Sequence, residues 1–177
     1  MVYAILYVAV DKCVEVIYSV VYSVVGDAAL RVVVCAYLCK VNLSNNIAYI
    51  EEKAFYACKG LQSIDFKNVT TIGQSAFYGC TGLQSIDFKN VTTIGQSAFE
   101  ECKGLTKVII PSGVKEIPKK SFYRCDKIEK VIIPASVKDI NVDAFAFCYA
   151  LGNVVIPNKQ CSVGSDAFYG IKGQVIR

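Results

Sequence analysis

Short apolar pairs recur along this chain on a fixed beat, separated by polar gaps. Leading apolar residues at Leu38, Leu61, Leu83, Leu105, Ile128 and Leu151 are followed three and five residues later by pairs such as Ile64/Phe66, Ile86/Phe88, Val108/Ile110, Val131/Ile133 and Val154/Ile156. Alternation at period two predicts a short strand with one buried face. A second apolar pair follows in each unit (Ile47/Ile50, Val69/Ile72, Val91/Ile94, Val114/Ile117, Val137/Ile140). Each unit then closes on a small residue, Phe, two variable residues and usually Cys, as in Ala54-Phe55-Tyr56-Ala57-Cys58 and Ser121-Phe122-Tyr123-Arg124-Cys125. That closing stretch reads as a turn of helix.

The beat is an internal repeat, because Cys13, Cys35, Cys58, Cys80, Cys102, Cys125 and Cys148 stand 22, 23, 22, 22, 23 and 23 residues apart. Residues 61–82 and 83–104 are near copies that differ only at Tyr78/Glu100, Gly79/Glu101 and Thr81/Lys103. Units of this size are stable only when stacked, since each buries its apolar face on its neighbours. The expected architecture is a strand-rich α/β solenoid, with parallel strands on one face and short helical turns closing each coil. Parallel stacking at about 4.8 Å sets like side chains above one another, so Phe55, Phe77, Phe99, Phe122, Phe145 and Phe168 should form one buried stack. Pro111, Pro134 and Pro157 lack an amide hydrogen and should each end a strand. The 22-residue units carry Lys67 and Lys89 there and are one residue shorter before the second pair. Gly73 and Gly95 share a column with Pro118, which cannot adopt positive φ, so that column does not require a left-handed residue.

Composition narrows the chemistry. Of 177 residues, 54% are apolar, which excludes disorder, and 19 Lys and Arg against 15 Asp and Glu give a net charge of only +4. Without clustered cations, a dedicated nucleic-acid surface is not expected. There is no His. Ser-His and Cys-His nucleophile pairs and His-ligated zinc are therefore impossible. The apolar run at the N-terminus lacks a preceding Lys or Arg and makes a poor signal peptide. No run approaches the roughly 20 residues of a spanning helix.

The stretch of residues 105–128 resembles the BspA-like class of the leucine-rich repeat superfamily, whose motif runs Leu-x-x-Ile-x-Ile-Pro-x-x-Val-x-x-Ile-Gly-x-x-Ala-Phe-x-x-Cys. Pro118 stands for the Gly and Ser121 for the Ala. This resemblance implies a curved right-handed leucine-rich repeat solenoid that binds proteins, in bacterial or protist surface and adhesin-type proteins. It also implies a cell-surface or secreted location, although the poor signal peptide leaves a cytoplasmic one open. The whole chain is read as a single repeat domain. Residues 1–37 are degenerate N-terminal coils, 38–170 are six regular repeats, and 171–177 form a terminal strand. Met1 then lies inside a repeat, so the chain is either a piece of a longer array or uses its apolar start as a cap.

Chemical candidates are few. The Cys column could form disulfides between coils or remain a buried ladder of free thiols, and the apolar interior suits the free thiol. Cys39 and Cys161 lie outside the ladder and are the better candidates for reactivity, although a quiet half-buried thiol is the favoured reading of each. Only Cys35 and Cys39 approach zinc-ligand spacing, and no metal or cofactor is expected. Asp65 and Asp87 share a column and would lie roughly 5 Å apart, a separation resembling a glycosidase pair. As products of one duplication they read instead as a solvated strand face, and no enzyme is expected. The outward strand positions include Ser63, Asp65, Ser85, Asp87, Lys107, Ile109, Lys130, Ile132 and Asn153. They run from acidic and small to basic with apolar neighbours. Either this face takes a protein ligand, or the array is structural with no ligand of its own. The expected state is a monomer with a protein partner on the strand face, no nucleic acid and no transmembrane segment.

Overall fold

A computed structural model describes Ile5–Val10, Cys13–Tyr18, Leu38–Leu43 and residues 47–177. Each coil contributes to two parallel ladders. The first contains Leu38–Leu43, Ser63–Asp65, Lys107–Ile109, Lys130–Ile132, Val154–Val155 and Val175–Ile176. The second contains Tyr49–Ile50, Thr71–Ile72, Thr93–Ile94, Glu116–Ile117, Asp139–Ile140 and Ser162–Val163. Pairing is parallel and in register within each ladder, for example Val108 with Val131 and Ile117 with Ile140. The inward side chains form one core in which the Leu61, Leu83, Leu105, Ile128 and Leu151 column is fully buried.

Phe55, Phe77, Phe99, Phe122, Phe145 and Phe168 form the expected stack. Successive ring centres are 5.0, 5.2, 5.4, 5.1 and 5.3 Å apart, with the ring planes nearly parallel. The first five are buried and Phe168, in the last coil, is half-buried.

The closing stretches are not helical: no helix occurs among the described residues. Two residues in each turn have positive φ, at Lys53 and Ala57, Ser75 and Gly79, Ser97 and Glu101, Lys120 and Arg124, Asp143 and Phe147, Asp166 and Gly170. Alternate N–H groups consequently point in different directions. Phe55, Phe77, Phe99, Phe122 and Phe145 each donate to the next coil, to Ala76, Ala98, Ser121, Ala144 and Ala167 carbonyls. The residues between donate three positions back within their own turn, as Cys58 does to Phe55. A helix would direct every N–H along its own axis. Here half of them stitch coils together. In these turns donation runs only forward along the chain. In the second ladder it runs backward, as from Gly73 N–H to the Ile50 carbonyl.

Both ladders are interrupted at one place, and the first is broken again between Lys130–Ile132 and Val154–Val155. Ser85–Asp87 forms no strand, and Thr93–Ile94 is not paired to Glu116–Ile117. This is the junction where 22-residue units give way to 23-residue units, so the coil path shifts by one residue between strand and second pair. The closing turns cross it without a break, through Ser97, Phe99 and Glu101 N–H groups on the Lys119, Ser121 and Tyr123 carbonyls.

Gly73 and Gly95 have ordinary φ, as Pro118 in their column led us to expect. Glycine is needed there for close approach: a Cβ on Gly73 would sit 2.7 Å from the Glu51 backbone, and one on Gly95 would sit 2.6 Å from the Gln74 backbone.

At the N-terminus, Ile5–Val10 and Cys13–Tyr18 pair antiparallel, and Cys13–Tyr18 then runs parallel to Leu38–Leu43. Antiparallel pairing does not occur between successive coils of a parallel solenoid. Cys13, expected in a closing column, opens a strand. Residues 19–37, with Cys35, lie outside the described residues, as do the side chains of Cys13 and Cys39.

Candidate functional site

The outward positions of the first ladder divide into two halves with different jobs. In the 22-residue units the carboxylates serve their own backbone. Asp65 Oδ1 accepts the Lys67 N–H at 3.0 Å and Asp87 Oδ1 accepts the Lys89 N–H at 3.4 Å, with Lys89 Nζ 3.2 Å from Asp87 Oδ2. Lys67 has φ of 31°, so the carboxylate holds a turn that the chain would otherwise resist. Where Pro111, Pro134 and Pro157 take the Lys position there is no N–H to hold, and Ile109, Ile132 and Val155 replace the acid. Ser63 is half-buried beside this turn and Ser85 is exposed. Ser85 and Asp87 stand on the interrupted segment, so the regular acidic array expected at this end is incomplete.

The other half holds two strand pairs that are not hydrogen-bonded to each other. Lys107 pairs with Lys130 and Ile109 with Ile132 across adjacent parallel strands, and Val155 pairs with Ile176. Ile109, Ile132, Val155 and Ile176 are 47, 41, 55 and 46% exposed. At one strand spacing each they form an apolar stripe about 15 Å long. Lys107 and Lys130 run beside it, exposed, with no ion pair among the described residues. Like charges directly opposite on neighbouring strands repel. Asn153 is turned to structural use, since its Oδ1 accepts the Gln174 N–H at 2.9 Å. Ile176 was not among the expected site residues; Val175–Ile176 continues the column of the earlier strands, but both its residues are exposed.

The Cys column is chemically quiet. Cys80, Cys102, Cys125 and Cys148 are free and buried, and each thiol donates to the carbonyl of a Phe one coil back, at 3.0 to 3.2 Å. Burial pushes the Cys80 and Cys148 thiols up to about 12 and raises Cys102 and Cys125 well above the usual range. The uniformly reduced ladder does not hold throughout, because Cys58 is disulfide-bonded. Cys161, expected to be half-buried, is buried at the end of the Val69, Val91, Val114 and Val137 column, and burial raises its thiol as well. Among the described residues no cluster of His, Cys, Asp or Glu could hold a metal, and no helix is long and apolar enough to cross a membrane.

Comparison with known proteins follows the same outline. The family model for the BspA type leucine rich repeat region matches in six copies, over residues 33–125 and 70–176. A leucine rich cell surface protein from Faecalibacterium prausnitzii superposes with a TM-score of 0.71 at 28% identity, over 94% of this chain and 52% of that one. A leucine-rich repeat protein from Bacteroides ovatus gives 0.76 at 23% identity, over 98% of this chain and 52% of that one. The leucine rich repeat protein of T. pallidum gives 0.57 at 22% identity, covering 90% and 83%. The chain thus spans about half the length of the first two structures. No curated protein matches it.

Proposed function

Because the chain belongs to the BspA-type leucine-rich repeat family, we propose that it is a non-enzymatic protein-binding module of surface or adhesin type, and that it binds through the 105–176 half of its first ladder. The observation that carries this reading is the in-register Lys107/Lys130 pair beside the exposed Ile109, Ile132, Val155 and Ile176 stripe. Two unneutralised ammonium groups on adjacent strands disfavour the isolated chain slightly, and an acidic partner removes that repulsion while covering the stripe. Apolar burial would supply affinity, and charge would supply orientation and encounter rate. Likeness to a bacterial cell surface protein supports the surface assignment. The alternative of a structural array is favoured for the other half, where Asp65 and Asp87 are engaged by their own turns.

Selection of a displayed random peptide library on the immobilised chain tests the reading. The expected winners combine Asp or Glu with apolar residues, bind more weakly as salt rises, and are lost when Lys107→Glu and Lys130→Glu are combined. The fold should survive this double change, since exposed substitutions usually shift stability by less than about 0.5 kcal/mol. Peptides that bind the double variant as well as the parent at low salt would remove this face from consideration.

A further inference from the structure

The closing turns of the later coils carry a second surface, built around Phe147. Its ring meets Tyr123 at 5.4 Å, Tyr169 at 5.3 Å and Tyr149 at 6.0 Å, each edge to face. Tyr149 and Tyr169 are 57 and 59% exposed. The Arg124 guanidinium lies 5.7 Å from the ring centres of both Tyr123 and Phe147, and Lys120 Nζ stands 5.0 Å over Tyr123. Neither cation has a hydrogen bond or ion pair from its side chain to any described residue. Glu101 precedes Arg124 in the same column, one coil earlier, yet the guanidinium lies on the rings and forms no ion pair with it.

The backbone adds an independent observation. Phe147 has φ of +59° in a column otherwise filled by Ala57, Gly79, Glu101, Arg124 and Gly170. The repeat imposes that positive φ on every coil, and it carries a large apolar ring only at Phe147. Ala146 is fully buried beside it, so the core is closed without the Phe147 ring.

The Arg124 guanidinium, close to two rings and in no ion pair with a described residue, keeps N–H groups that can receive a carboxylate in a bidentate fashion. Exposed ring faces suit a ligand that presents C–H groups. An acidic sugar offers both, a pyranose face of C–H bonds and a carboxylate at its edge. A peptide adding as a strand would need free backbone partners, and beside these rings the Arg124 N–H is spent on the Ala146 carbonyl and the Phe147 N–H on the Tyr169 carbonyl. We propose that Tyr123, Arg124, Phe147, Tyr149 and Tyr169, with Lys120, form a binding surface for an anionic polysaccharide of uronate type, separate from the protein-binding face.

Titration calorimetry with hexagalacturonate tests this directly, with the carboxyl-reduced neutral hexamer and poly-glutamate as competing probes. Saturable binding of the hexagalacturonate is expected, weakened at least tenfold by Arg124→Gln and several-fold by Tyr149→Ala combined with Tyr169→Ala. Lys107→Glu with Lys130→Glu should leave it unchanged, which separates this surface from the strand face. Phe147→Gly should lose binding while melting within about 3 °C of the parent, since glycine accepts the positive φ and the ring lies outside the core. The assignment fails if the hexagalacturonate does not bind saturably, if the neutral hexamer binds equally, or if poly-glutamate binds as tightly and is indifferent to the tyrosine changes.

Discussion

Replacing Phe99 by Ala should do more than destabilise the chain; it should divide it. Phe99 is fully buried, stacked between Phe77 at 5.2 Å and Phe122 at 5.4 Å, with Phe88 edge-on at 5.3 Å. Truncating such a ring costs about 3 to 5 kcal/mol. With a urea dependence of about 2 to 3 kcal/mol per molar, that moves the midpoint by roughly 1 to 2 M. Phe99 also stands where both ladders are interrupted, so among the described residues the backbone hydrogen bonds across this junction are those of Ser97, Phe99 and Glu101. In a repeat array, cooperativity depends on each nearest-neighbour interface. Weakening this one should therefore convert a single urea transition, followed by circular dichroism, into two. Residues up to 104 would unfold before 105–177. Phe145→Ala is the control: Phe145 is equally buried, but Asp139–Ile140 beside it pairs on both sides. It should lower the midpoint and keep one transition. If Phe99→Ala and Phe145→Ala gave single transitions with equal shifts, the junction would not be the weak interface we describe.

Phe168→Ala should cost only about 1 to 2 kcal/mol by the same urea measurement, because that ring is half-buried and stacks on Phe145 alone. Gly95→Ala places a methyl group 2.6 Å from the Gln74 backbone, which cannot rotate away, and should lower stability by about 1 to 3 kcal/mol in the same assay. Cys80 and Cys148 are raised from 9.0 to about 12 by burial, so the folded chain holds these protons when the unfolded chain has released them. Their contribution is complete below about pH 9 and declines towards pH 12. Melts across that window should show the decline, and a variant with Ala at both positions should show a shallower one.

The period, the strands and the Phe stack are legible in the sequence because each is a matter of side-chain burial at fixed spacing. The closing turn is not, because its geometry depends on φ at residues such as Lys53, Ser97, Lys120 and Asp143, whose identities give no sign of the left-handed region. A small-Phe-x-x-Cys pattern is equally compatible with helix until the destination of each N–H is known. The interrupted strand is more instructive still. Residues 61–77 and 83–99 are identical, yet Ser63–Asp65 is a strand and Ser85–Asp87 is not. No local reading could separate them, since the difference lies in the neighbouring coil. At the candidate site, the Lys107, Ile109, Lys130 and Ile132 face is readable from alternation. The engagement of Asp65 and Asp87 with their own turns is not, although the exchange of Asp for Ile or Val wherever Pro replaces Lys signals it. Tyr56, Tyr78, Tyr123 and Tyr169 announce an aromatic side, but nothing local announces Arg124 beside two rings.

The forward donation in the closing turns gives the array a polarity, in the sense that a filament has unlike ends. At the last coil the N–H groups of Asp166, Phe168 and Gly170 have no partner among the described residues, while the second ladder there ends on carbonyls. That end is a lock with donors on one side and acceptors on the other. Any segment grafted onto it must offer carbonyls to the turns and N–H groups to the ladder, and the same segment inverted would meet like with like at every position. An engineer extending or capping this solenoid would therefore find that the two termini are not interchangeable.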